Sequence, residues 1–163
     1  MGNDKLEKSL HTGAHQQLHL LVGDWEGITR TWFEPNQLAD ESPMKGTMKA
    51  VLDGRFILHE YSGSINSEPF EGLAIYGYHL GSRSFQSAWI DSFHMGTAIM
   101  FSEAAGNDKK MRFLGSYAAN EERWGWRTVI EVVSPDELVI TAFNITPDGA
   151  ESKGVETHYR RVK

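Results

Sequence analysis

Gly23-Asp24-Trp25-Glu26-Gly27 decides the reading of this chain, because the hydrophobic period changes there. Before it, Ala14, Leu18, Leu21 and Val22 recur at helical spacing from Gly13 to Val22, and Gly23 is a natural stop. After it, apolar residues alternate with polar ones to the end of the chain, and no second helix is predicted. That order predicts one closed antiparallel barrel, with a tryptophan near its entrance and a short helix capping one end.

The alternation divides into ten predicted strands: 25–33, 44–52, 55–65, 70–79, 85–93, 96–103, 111–117, 124–133, 138–146 and 153–162. Polar residues from Glu34 to Pro43 read as the longest loop, and Asp53-Gly54 as a two-residue hairpin turn. Turns are expected at Asn66 to Pro69, Gly81 to Arg83, Gly106-Asn107-Asp108, Asn120-Glu121-Glu122, Ser134-Pro135-Asp136 and Pro147-Asp148-Gly149. Gaps this short exclude parallel crossovers, so neighbours should pair up and down. Ten strands left flat would expose two edges, and closure removes them. About eight strands already suffice to hold one small ligand, so ten should enclose a hollow. Residues 1–12 read as a flexible or loosely helical lead, and 13–163 as one lipocalin-like barrel domain.

Composition narrows the function. The chain is 40% hydrophobic and 11% aromatic, enough for a core. Its 22 acidic residues outnumber 16 basic ones, giving a formal charge of -6. This argues against nucleic acid and anionic membrane surfaces as partners. Cysteine is absent, which excludes disulfides, thiol nucleophiles and cysteine-bound metal. The polar start, Met1 to Leu10, has no apolar signal core, so the cytoplasm is the expected compartment.

A resemblance runs through the chain from about Gly13. It is carried by Gly23-Asp24-Trp25-Glu26-Gly27, Gly54-Arg55-Phe56-Ile57-Leu58-His59-Glu60-Tyr61, Pro69-Phe70-Glu71-Gly72 and Gly77-Tyr78. Trp89-Ile90-Asp91-Ser92, Pro147-Asp148-Gly149 and Glu156-Thr157-His158-Tyr159-Arg160 continue it. Together these residues resemble a bacterial family of small proteins known as a domain of unknown function (number 1579), with a lipocalin-like or calycin barrel. The resemblance implies an internal cavity and brings no established activity. His79 stands where related sequences often have Asp.

Candidate site residues follow from strand parity and charge. Phe85, Ser87, Trp89, Asp91 and Phe93 share one face. If that face points inward, an aromatic wall carries one carboxylate, a common way to build a small-molecule pocket. Trp124 and Trp126 share a face that could be cavity wall, core, or a patch covered in a homodimer or other homo-oligomer. Glu60, Glu71, Asp91 and Glu156 lie in otherwise apolar strands, with Arg55, Arg127 and Arg160 as natural partners. The expected ligand-binding set is therefore Trp25, Glu71, Trp89, Asp91, Phe93, Glu156 and Arg160, taking a small apolar or amphipathic molecule. One alternative is an enzyme using Glu71, Asp91 or Glu156 as general base. Another is a haem barrel held through His158, by analogy with the nitrobindins. His11, His15 and His19 recur every four residues but lack the carboxylate or cysteine a metal site usually adds. No metal, cofactor or catalytic residue is assigned from sequence. No phosphate-binding, dinucleotide-binding or nucleophile-elbow motif is present.

Overall fold

The computed structural model describes residues 2–105 and 109–163. Two helices, α1 (Gly2–Thr12) and α2 (Ala14–His19), precede ten strands. These are β1 (Gly23–Glu34), β2 (Gln37–Val51), β3 (Phe56–Ile65), β4 (Glu68–His79) and β5 (Ser84–Asp91), then β6 (Met100–Ala105), β7 (Lys110–Ala119), β8 (Glu122–Ser134), β9 (Glu137–Ile145) and β10 (Glu151–Arg161). Each pairs antiparallel with its sequence neighbours, and β1 pairs with β10 from Trp25↔Arg161 to Thr31↔Val155. The barrel is closed and all-β apart from the leading helices.

The opening motif works at the helix end of this barrel. Gly23 takes φ +149, and a Cβ there would lie 2.1 Å from Arg161 Nη1. The guanidinium of Arg161 thereby reaches the carbonyls of Val22 and Leu20 just after α2, and that of Pro135. It also stacks over the Trp25 ring, 4.3 Å from its centroid. Trp25 donates from Nε1 to Leu21 O at 2.8 Å. Orphan carbonyls at a helix C-terminus need such donors when buried. Gly27 lets β10 approach, since a Cβ would meet His158 O at 1.7 Å. Leu18, Leu21, Trp25, Met48, Ile57, Phe85, Phe113, Ile130 and Leu138 fill this half of the barrel solidly.

Three segments differ from the sequence reading. The polar stretch after Glu34 is not a loop: a turn at Pro35-Asn36, with Asn36 at φ +61, leads straight into β2. Its polar residues stay in the ladder, and Arg30 Nε pairs with Glu41 at 2.6 Å across it. The Asp53-Gly54 turn is longer than two residues, since Leu52, Asp53 and Gly54 all have positive φ. The fifth strand stops at Asp91, Ser92 still donates its N–H to Glu71 O at 2.9 Å, and 93–99 lie outside the strands, so the sixth begins only at Met100. The cause is local: Asp91 Oδ1 accepts from the backbone N–H of Phe93, His94 and Met95 at 3.3, 2.6 and 3.1 Å. The turn expected at Gly106-Asn107-Asp108 lies outside the described residues. No helix among the described residues is long and apolar enough to cross a membrane.

Candidate functional site

At the end of the barrel away from the helices the packing opens into a cavity of about 100 Å³. Its wall comes from alternate residues of many strands: Thr29 and Thr31 of β1, His59 and Tyr61 of β3, Phe70, Ala74 and Tyr76 of β4, and Trp89 of β5. Trp126 of β8 and Thr157 and Tyr159 of β10 continue the wall, and His94 reaches in from the segment after β5. These positions share the inward side of the pleat. Trp89 and Trp126 stack with ring centroids 5.7 Å apart and 14° between their planes.

The floor is polar. His59 is buried and holds Tyr76 Oη at 3.4 Å from Nδ1 and Tyr159 Oη at 3.2 Å from Nε2. Burial pushes the His59 pKa down to about 3, so the ring is neutral. Burial pushes the hydroxyls of Tyr76, Tyr159 and Tyr61 up, so all three keep their protons. Trp89 Nε1 donates to Tyr61 Oη at 2.6 Å. Thr29 and Thr157 share a hydrogen bond of 2.7 Å between their hydroxyls.

Phe93, His94 and Met95 close the roof. Phe93 sits at the rim against Phe33, Phe70 and His94. The Asp91 side chain is fully buried, and its Oδ2 faces His94 Nδ1. Burial alone would raise the Asp91 carboxyl. The hydrogen bond from His94, with the N–H groups of Met95 and His94, outweighs it and holds the group below the usual range. Among the described residues, two buried side-chain polar atoms lack a hydrogen-bond partner, Thr31 Oγ1 and His94 Nε2. Both residues line this cavity.

Of the residues expected at the site, Trp89 lines the cavity and Asp91 lies behind its His94 wall. Phe93 is part of the roof. Trp25 is buried in the solid half, beside α2. Glu71, Glu156 and Arg160 are on the outer face of the barrel, because Phe70, Thr157 and Tyr159 take the inward parity of β4 and β10. Glu156 pairs there with Lys153 and, at 3.0 Å, with His158. The three carboxylates named as general bases therefore do not converge, and His158 points away from the interior. His15 bonds Ser9 and His19 bonds Gly54 O, so two of the three histidines are spent on separate contacts. Among the described residues, no three His, Cys, Asp or Glu side chains are placed to hold a metal ion.

His59, Thr31 and His94 are site residues that no motif marks. Strand parity points to His59, which shares a face with Ile57 and Tyr61 on β3. His94 lies in an irregular segment where no period exists to reveal it.

No curated protein matches this chain in sequence. Among solved structures, Rv2717c from M. tuberculosis is 11% identical, with a TM-score of 0.62 over 91% of this chain and 96% of its own. The S-type phycobiliprotein lyase CPES from Guillardia theta is 14% identical, with a TM-score of 0.55 over 91% of this chain and 92% of its own. At such identities the likeness is one of fold. The family model for proteins of unknown function DUF1579 matches residues 11–161, and the chain belongs to that family.

Proposed function

We propose that this protein binds a small, largely apolar molecule within the upper half of its barrel. The observation that carries this reading is the cavity of about 100 Å³ walled by Trp89, Trp126 and Phe70. Its apolar wall with a few fixed polar groups is the usual chemistry of a small-molecule pocket. Its size limits the guest. Drug-sized ligands occupy roughly 300–1,000 Å³, whereas a cavity of roughly 150 Å³ admits a single benzene ring. The guest is thus no larger than a single ring, or a short chain of similar volume.

Two measurements test this reading. Protein taken straight from cells, observed by native mass spectrometry, should carry a small added mass that denaturation releases. Titration of the full chain with one-ring aromatics should change its tryptophan emission, and Trp89→Phe should reduce that change. A chain that retains nothing and responds to none of these probes would overturn the proposal.

A further inference from the structure

The polar atoms around the cavity define which one-ring molecule fits. Asp91 Oδ1 is occupied by three backbone N–H groups, and Oδ2 faces His94 Nδ1. An ionised carboxylate only accepts, so the hydrogen of a neutral His94 ring is on Nδ1. Nε2 then carries a bare lone pair. It lies out of solvent, on a cavity-lining residue, and among the described residues no group donates to it. A buried acceptor left unmet is costly, and such groups normally have a partner.

Hydroxyl hydrogens surround the same space. Thr31 Oγ1 has no partner among the described residues. Tyr61 accepts from Trp89, which leaves its own hydrogen unspent in that bond. Neutral His59 has one N–H and one lone pair for two tyrosines. One of Tyr76 and Tyr159 donates to it, and the other keeps its hydrogen. The cavity thus presents one lone pair, several O–H groups and an aromatic wall. A ligand hydroxyl is the smallest group that both donates to the first and accepts from the second.

Resting on the binding reading above, we propose that the ligand is a small hydroxylated aromatic of the phenol class, whose O–H donates to His94 Nε2. Asp91 is a positioning residue, which fixes the histidine tautomer and holds the ring over the cavity.

The experiment is a calorimetric titration of the full chain with phenol, anisole and toluene. Anisole keeps the oxygen but has no hydrogen to donate, and toluene has neither. Phenol should bind roughly tenfold more tightly than either, the size expected of one well-made hydrogen bond. His94→Leu should bring the three within about threefold of one another while toluene binding persists. Asp91→Asn should erase the preference of phenol over anisole. Its amide N–H₂ would face His94 Nδ1 and move the ring hydrogen to Nε2, from which the oxygens of phenol and anisole both accept. Nitrogen-15 NMR of His94 should show Nε2 unprotonated in the native chain and protonated in Asp91→Asn. Equal binding of the three probes by the native chain would overturn the hydroxyl inference and leave the cavity reading standing, as would a phenol preference that survives His94→Leu. Binding of none would overturn both.

Discussion

The ring of Phe93 packs 6.2 Å from the ring of Phe33, so the segment after β5 reaches across the barrel mouth to β1. That reach begins at Asp91, whose Oδ1 gathers the N–H groups of Phe93, His94 and Met95. The roof is therefore held by one buried carboxylate and by the aromatic contacts of Phe93 with Phe33, Phe70 and His94.

Removing the carboxylate should loosen the roof before it unfolds the barrel. Asp91→Ala strands three N–H groups and one imidazole, and should cost about 2 kcal/mol of stability. Hydrogen exchange should speed up at Phe93, His94 and Met95 and remain slow at β1 and β10. Uniform acceleration across the barrel would contradict this assignment.

The same carboxyl gives a pH dependence of known sign. Its native pKa lies below the usual range. Its contribution is then complete above the unfolded value, about 3.9, and is lost as pH falls through the native value. Urea unfolding of the native chain and Asp91→Asn should differ most near neutrality. The gap should shrink at pH 3 and below.

His59 acts at higher pH. Its native pKa is about 3, against about 6.5 when unfolded. The unfolded chain gains a proton first as pH falls, so stability is full above 6.5 and declines toward 3 by up to about 1.4 kcal/mol per pH unit. His59→Gln should flatten the part of the slope between pH 6.5 and 5, where carboxylates contribute little. An unchanged slope would place the loss elsewhere.

Gly27 tests the seam. An alanine methyl there would overlap the His158 carbonyl, an atom of the paired backbone that cannot swing aside. Gly27→Ala should cost about 3 kcal/mol or more, among the large single-residue effects. Thermal melts should show a sharp drop or no folded protein. A change under about 1 kcal/mol would mean that β1 and β10 separate freely.

Much of the architecture could be read from the residues, because short gaps with turn chemistry leave only up-and-down pairing for so many strands. The β2 stretch from Gln37 to Pro43 reads as a loop in sequence because strand signals are apolar, and its residues are mostly polar. The site was harder to read, for a physical reason. On β10 both faces carry polar residues: Thr157 and Tyr159 point in, while Glu156, His158 and Arg160 point out. On β4 the outer face holds Leu73 and Ile75 beside Glu71, so hydrophobicity does not mark the inner side. A cavity lined by threonine, tyrosine and histidine resembles a solvated surface when seen one strand at a time.

Closure through Trp25↔Arg161 also has a consequence for synthesis. Until residues 151–161 leave the ribosome, β1 and β9 are bare edges able to pair with a neighbouring chain. Pairing of such distant segments is intrinsically slow. The nascent protein is therefore vulnerable to aggregation until β10 has been made, and slower elongation over residues 151–161 would prolong that exposure.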